Sequence, residues 1–320
     1  MKHKVFIDGQ AGTTGLRLAE RLAERADIQL VEIDEARRKD PAARLACIAD
    51  ANISFLCLPD DEAADIAAAA PPEARIIDCS TAHRTAEGWA YGLPEIFGTG
   101  GIGGHTTKVA NPGCHATGFI LAMRPLVDAG IVDKDAALGF HSLTGYSGGG
   151  KAMIAEYEST AATNESTLSA PRQYALAQAH KHLPEIEKYS GLGHAPIFAP
   201  IVCDFYSGMM VGVPLPRSAL RRPASVVIIR AALANYYAES QIVKVRELGA
   251  EHSEAAGAGF LSADAFANRD DIEVFVTGND DRIEVVSRYD NLGKGASGAA
   301  IQNMNLMLGL PEGKGLSLGD

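Results

Sequence analysis

No apolar run in the chain approaches the roughly 18 residues that a membrane helix needs, and the run Val226-Val227-Ile228-Ile229 is cut by Arg230. The start, Met1-Lys2-His3-Lys4, passes directly into Val5-Phe6-Ile7 without the layout of a signal peptide, so the expected location is the cytoplasm. Positive charge is also in short supply. Lys and Arg number 29 against 40 Asp and Glu, a formal net charge of -11 with a pI near 5.3. Such a chain repels phosphate backbones, which argues against nucleic acid as a partner while leaving room for a locally basic pocket. Cysteine is sparse and odd in number: Cys47, Cys57, Cys79, Cys114 and Cys203, with no C-x-x-C pair. That count excludes a disulfide framework and gives no zinc signature. There is no internal repeat, no low-complexity tract and no Walker A string.

What is there is a soluble globular composition, 47% hydrophobic and 22% charged, over 320 residues, more than one small core accommodates. Two domains are expected. Through residue 110 strand and helix patterns alternate. Strands are read at Val5–Asp8, Ile28–Ile33, Ile53–Leu58 and Arg75–Cys79, and helices at Thr13–Arg25, Pro41–Asp50 and Asp60–Ala70. This spacing implies right-handed crossovers and a doubly wound, Rossmann-type parallel sheet of the α/β class. After about residue 113 the pattern changes. A helix over Ala116–Ala129 is followed by extended runs at Ala137–Leu143, Ile197–Phe205, Met209–Leu215, Ile272–Thr277 and Ile283–Tyr289. The last two flank the turn signal Gly278-Asn279-Asp280-Asp281. A mixed or antiparallel α+β domain is expected here, followed by a final helix over Ala296–Leu308.

Four segments carry chemistry. Gly9-Gln10-Ala11-Gly12-Thr13-Thr14-Gly15 follows the first strand and opens the first helix, a GxxGxxG variant of the dinucleotide turn. Glycines there let the backbone approach a pyrophosphate at the helix N-terminus, with Thr13 and Thr14 in the first turn. Asp34 favours the ribose hydroxyls of NAD, whereas Arg37-Arg38-Lys39 suits the 2′-phosphate of NADP; the basic cluster tips the reading to NADP. Asn111-Pro112-Gly113-Cys114-His115 places a cysteine at the start of a helix, where the dipole and free N–H groups favour a thiolate and can hold a developing oxyanion. His180-Lys181-His182 offers a base or acid for that thiol. In an extended segment alternate residues face opposite ways, so one of the two histidines reaches Cys114; a metal pair and a purely structural pair are the alternatives. Finally, Ser147, Gly148 and Lys151 in Thr144-Gly145-Tyr146-Ser147-Gly148-Gly149-Gly150-Lys151 form an anion cradle or a glycine hinge, and Arg84 in Asp78-Cys79-Ser80-Thr81-Ala82-His83-Arg84 can pair with a substrate carboxylate or phosphate.

These segments, with Tyr91-Gly92-Leu93-Pro94-Glu95, His180 to Ile186, Ile197-Phe198-Ala199-Pro200, Asp204-Phe205-Tyr206 and Tyr289 to Asn305, resemble the short form of the N-acetyl-gamma-glutamyl-phosphate reductases of arginine biosynthesis, over nearly the whole chain. The resemblance implies a dinucleotide domain over 1–113 and 291–320, and an inserted catalytic and dimerisation domain over 114–290. It also implies NADP as cofactor, no metal, a small-molecule substrate and a homodimer or homotetramer. Cys114 falls on the family nucleophile, and His180 and His182 on its His-x-His element, with His180 slightly favoured as acid/base. Ser80 and Asn291 are implied at the cofactor and Glu185 at the substrate. One departure is His115, where many longer members carry an aromatic residue. The Pro-Gly-Cys element is shared with aspartate-semialdehyde dehydrogenase, the nearest alternative together with the acyl-phosphate reductases of lysine synthesis. A non-catalytic NADP-binding redox sensor is the alternative from another class.

Overall fold

Short, fully apolar strands punctuated by helices build the first of two units in the computed structural model, which describes residues 2–163, 168–253 and 257–319. Unit one comprises Met1–Pro112 and Ala296–Leu316; unit two comprises Gly113–Gly295 and Ser317–Asp320. The chain therefore returns to the first unit at residue 296 rather than 291, and its last residues belong to the second.

In unit one the order is β1 (His3–Asp8), α1 (Thr13–Ala23), β2 (Ile28–Val31), α2 (Pro41–Asp50), β3 (Ile53–Leu56), α3 (Asp60–Ala69), β4 (Ile76–Asp78), β5 (Ala90–Tyr91), α4 (Pro94–Phe97) and β6 (Lys108–Ala110). The six strands line up as β2-β1-β3-β4-β6-β5, all parallel. Both faces of the sheet are covered, which is why β3 and β4 are buried at every residue rather than at alternate ones. Val5, Ile7, Phe55 and Ile77 pack with Leu18 and Leu22 of α1 on one face; Phe6, Leu56 and Ile76 pack with Ile48 and Ile66 on the other. Cys57 and Cys79 pack against the first cluster and Cys47 against the second, as small apolar side chains do.

Unit two opens with α5 (Cys114–Asp128), then β7 (Gly139–Gly145), α6 (Gly150–Thr163), β8 (Arg172–Gln173), α7 (Leu183–Ser190), β9 (Ile197–Cys203), β10 (Met209–Pro216), α8 (Val226–Tyr236), β11 (Val243–Val245), β12 (Ile272–Asn279) and β13 (Arg282–Tyr289). Its seven strands run β11-β12-β13-β10-β7-β9-β8. The β7–β9 and β11–β12 pairs are parallel and the rest antiparallel, so this is the mixed sheet expected of an α+β unit. The hairpin between β12 and β13 closes where Asn279 Oδ1 accepts the N–H groups of Asp281 and Arg282. Helix α5 lacks an exposed stripe: from His115 to Met123 every residue is buried. An all-round apolar helix of this kind is a core element, and it fixes its first turn inside the unit.

The last helix, α9 (Gly298–Met307), returns to unit one, where Ala300, Ile301, Met304 and Met307 join the first core cluster. A turn of π-helix over Gly293–Ser297 precedes it. Among the described residues no helix is long and apolar enough to cross a membrane.

Candidate active site

In unit one the glycine turn is held by contacts that no side chain permits. Gly9 has φ of +89°, and a Cβ there would stand 2.3 Å from the Cys57 carbonyl oxygen; a Cβ on Gly15 would stand 2.4 Å from Gly9 O. The Gly12 N–H donates to Gly9 O at 3.0 Å, and α1 starts with Gly12 as N-cap and no side chain satisfying its first N–H groups. Thr13 Oγ1 is buried without a hydrogen-bond partner, and Thr14 is half-buried beside it. Open helix N–H groups, an orphaned hydroxyl and backbone stripped of Cβ atoms together fit the phosphates of a dinucleotide.

The basic turn carries its own counter-charges. Arg37 pairs with Asp40 at 2.7 Å and Arg38 with Glu35 at 2.7 Å, while Asp34 accepts the Ala36 N–H. Local acids thus neutralise two of the three cations, and both arginines remain exposed. Buried Arg44 anchors the turn from α2, donating to Arg38 O at 2.8 Å and facing Asp8 at 3.4 Å and Glu62 at 3.0 Å. Asp8 ends β1 directly before Gly9. Burial raises its carboxyl to about 6, against the pull of Arg44.

Past β4, Asp78 is fully buried and organises the next turn. It accepts the Ser80 N–H and hydroxyl, each at 2.8 Å, and meets His83 Nδ1 at 2.6 Å, while the His83 ring stacks on Trp89. Ser80, expected at the cofactor, gives its hydroxyl hydrogen to Asp78 and accepts from Ala82 N. Arg84 is buried and donates from Nε to Asn111 O at 3.0 Å, so that nitrogen serves the backbone rather than a substrate anion. Asn111 in turn donates to Ala296 O, and Asn303 donates to Gly92 O and Asn111 Oδ1.

In unit two Cys114 is the first residue of α5, with Gly113 as N-cap. Tyr289 Oη donates to Cys114 O at 2.6 Å and accepts from Gly118 N at 3.1 Å, joining a carbonyl and an N–H that stand in i,i+4 relation in the first turn. Gly118 is needed there, since a Cβ would lie 2.5 Å from that oxygen. Gly295 closes the other side, its missing Cβ falling 2.9 Å from Cys114 Cβ. Burial, then the nearby Cys114, holds the Tyr289 phenol well above its ordinary value.

Three histidines cluster here, two of them grouped with the thiol. Ligand atoms of Cys114, His115 and His182 all lie within 4.8 Å of one another. The rings of His180 and His182 are 4.6 Å apart, and both face His115, at 5.4 Å and 5.5 Å. The alternation expected of an extended His180–His182 segment is absent. The Leu183 N–H turns back to His180 O at 3.0 Å, and His180 Nδ1 accepts the His182 N–H at 3.1 Å, so a turn puts both rings on one side. His182 is the member of the pair grouped with the sulfur.

His115 is buried, with Nδ1 on Ser142 Oγ at 2.7 Å and Nε2 on Tyr174 Oη at 2.8 Å. Burial, reinforced by His180, depresses its pKa to about 3, so the ring is neutral near pH 7. Burial, then the charge of Cys114, raises the Tyr174 phenol above its ordinary value. Ser142 and Tyr174 escaped the sequence reading; they lie 27 and 59 residues from His115, and only strand pairing brings them close.

The remaining expected residues have definite places. Glu185 is buried and its Oε2 accepts the Gly113 N–H at 3.1 Å. Asn291 lies in unit two, donating to Ser147 Oγ at 3.0 Å and accepting the Gly208 N–H, so its amide ties two loops together. Ser147 is buried under that bond, whereas Gly148, in the turn before α6, and Lys151, in its first turn, are exposed.

Comparison with known proteins places this geometry. Residues 4–99 match the family described as semialdehyde dehydrogenase, NAD binding domain, and residues 114–291 match semialdehyde dehydrogenase, dimerisation domain. The chain is 43% identical to N-acetyl-gamma-glutamyl-phosphate reductase 2 of a Nostoc species, covering 98% of this chain and 99% of that protein. It is 42% identical to the N-acetyl-gamma-glutamyl-phosphate reductase of Brucella ovis, covering 97% and 100%. Among solved structures it resembles aspartate semialdehyde dehydrogenase II of Vibrio cholerae, with a TM-score of 0.69 at 17% identity over 96% of this chain and 98% of that one. A probable aspartate-semialdehyde dehydrogenase of Pseudomonas aeruginosa gives 0.70 at 13%, over 96% and 99%. At such low identity the structural likeness bears on the fold alone.

Proposed function

Because the chain belongs to the semialdehyde dehydrogenase family, among the N-acetyl-gamma-glutamyl-phosphate reductases, we propose that it reduces N-acetyl-glutamyl 5-phosphate to N-acetyl-glutamate 5-semialdehyde and phosphate, with Cys114 as nucleophile. The observation that carries the reading is the thiol at the start of α5 grouped with His182 and His115. The reductases are 42–43% identical to this chain over 97–98% of it, which favours this substrate over aspartyl phosphate.

Cys114 attacks the acyl carbon; the C–O bond to phosphate breaks, phosphate leaves, and a thioester remains on the sulfur. The nicotinamide cofactor, when bound at the glycine turn, would supply the hydride for the thioester carbon. The N–H groups at the start of α5 hold the charge that develops on the acyl oxygen at each step. Here we assign the acid/base role to His182 instead of His180, on the strength of its grouping with the sulfur. His182 then exchanges a proton with the thiohemiacetal as the C–S bond breaks and the aldehyde departs. His115, neutral and bonded through both nitrogens, positions the cluster rather than titrating.

For the cofactor, Gly9, Gly12, Thr13, Thr14 and Gly15 would cradle the phosphates. NADP is favoured over NAD because Arg37 and Arg38 are exposed and paired only with exposed or half-buried acids of their own turn, which a 2′-phosphate can replace. Within unit two Glu185 and Ser147 hold the backbone and loops near Cys114 and α6, within unit one Arg84 holds Asn111 O, and Gly148 and Lys151 are exposed to a substrate anion. The protein is read as a cytoplasmic homodimer or homotetramer, consistent with the dimerisation description of the family matched by residues 114–291. The test is Cys114→Ser: turnover should fall by several orders of magnitude while NADPH binding stays within about twofold of the parent. Undiminished turnover would end the proposal.

A further inference from the structure

Two helix starts meet around Cys114, and between them they offer one sulfur and two imidazoles. Cys114 and His115 open α5, and His182 is the N-cap of α7. Their ligand atoms lie within 4.8 Å of one another. A tetrahedral zinc-class ion, about 2.3 Å from sulfur and 2.0–2.1 Å from nitrogen, needs ligand atoms separated by about 3.4–3.6 Å. Side-chain rotations of about 1 Å therefore close the three ligands onto one centre. One thiolate with two imidazoles is the donor set that suits a borderline-soft cation and gives no purchase to Mg2+ or Ca2+, which want oxygen ligands.

We infer that Cys114, His115 and His182 form a three-ligand site for a zinc-class divalent cation, and that its occupancy reversibly blocks the thiol. The inhibitory half of this inference rests on the reading of Cys114 as nucleophile; the binding half does not.

Two further features bear on the site. Ser142 Oγ on His115 Nδ1 is the outer-sphere partner that fixes the ring of a metal-bound imidazole, leaving Nε2 for the cation. Nε2 now meets Tyr174 Oη, so a cation and the tyrosine compete for the same nitrogen. Charge is the second. Two helix N-termini direct partial positive charge here, which opposes a cation. The Cys114 thiolate and the buried carboxylate of Glu185, held on the Gly113 N–H, supply two negative charges to offset it. Three protein ligands leave a fourth position open, where a substrate phosphate or water can sit, so the block is relieved by a chelator rather than permanent.

The experiment is a titration of the intact protein with Cd2+, followed by the ultraviolet sulfur-to-cadmium charge-transfer band, with Zn2+ measured by competition. One equivalent should bind with the band present. Cys114→Ser should abolish the band, and His182→Asn should weaken binding at least tenfold, with each variant's melting curve recorded to confirm its fold. Tyr174→Phe, which removes the competitor for His115, should tighten binding severalfold. Unchanged affinity in both Cys114→Ser and His182→Asn, or no tightening in Tyr174→Phe, overturns the three-ligand site. Zn2+ should abolish turnover, and excess chelator should restore it. A bound cation without loss of turnover overturns the inhibitory role, while absence of any reductase activity in the metal-free protein counts against the function instead.

Discussion

The backbone N–H of Gly113 donates to Glu185 Oε2 across 3.1 Å, so a buried carboxylate of α7 holds the residue before Cys114. Removing that acceptor orphans a buried donor, which costs about 1–3 kcal/mol. Glu185→Ala should therefore lower stability by about that amount in urea denaturation, whereas Glu185→Gln, which keeps an acceptor oxygen, should stay within about 1 kcal/mol of the parent. Equal losses in the two variants would show that charge rather than the hydrogen bond matters.

The pH dependence of stability should carry two opposed contributions. His115 has a folded pKa of about 3, below its ordinary value. Between these values the unfolded chain binds the proton and the fold does not, so its contribution is complete near neutrality and is lost as pH falls below about 6.5. Asp8 has its carboxyl raised to about 6. Here the fold binds the proton first, so its contribution is present below about pH 4 and is lost as pH rises through 6. Each slope is bounded by about 1.4 kcal/mol per pH unit. In urea unfolding between pH 4 and 7, His115→Asn should flatten the acid-side loss and Asp8→Asn should steepen it; the reverse pattern would contradict these assignments.

Tyr289 joins Cys114 O to Gly118 N. Tyr289→Phe deletes the bridge inside a buried helix, at a cost of about 1–3 kcal/mol. Because the first turn of α5 then shifts under the sulfur, kcat should drop by about tenfold or more with NADPH affinity unchanged. A fall in NADPH affinity with kcat preserved would remove Tyr289 from the thiol's support.

At Gly9, alanine meets both a left-handed φ of +89° and the Cys57 carbonyl at 2.3 Å. The conformation alone costs roughly 1–2 kcal/mol. Gly9→Ala should weaken NADPH binding by about tenfold or more in fluorescence titration, while leaving alkylation of Cys114 by iodoacetamide at its parental rate.

How far the sequence anticipates all this follows physical lines. Features fixed by neighbours along the chain are legible: the alternation that builds β1 to β4, the glycines of the turn before α1, and the cysteine that opens α5. Features set by pairing across the fold are not. Tyr174 and Ser142 reach His115 only because β8, β9 and β7 are neighbours in one sheet. The His180–His182 pair shows how a local rule fails: alternation presumes a strand, and the i,i+3 turn into α7 replaces it. Arg37 and Arg38 stand in the sequence as one basic cluster with Lys39, and only the turn geometry pairs them with Asp40 and Glu35.

The most direct test of the central claim runs the reaction backwards. N-acetyl-glutamate semialdehyde and NADP+ are mixed with the protein in the absence of phosphate, and the first turnover is followed by NADPH absorbance and peptide mass spectrometry. A Cys114 nucleophile predicts a burst of one NADPH per subunit, an acyl group on the peptide that contains Cys114, and its release on adding phosphate. No burst, or an acyl group that still forms in the Cys114→Ser protein, would contradict it.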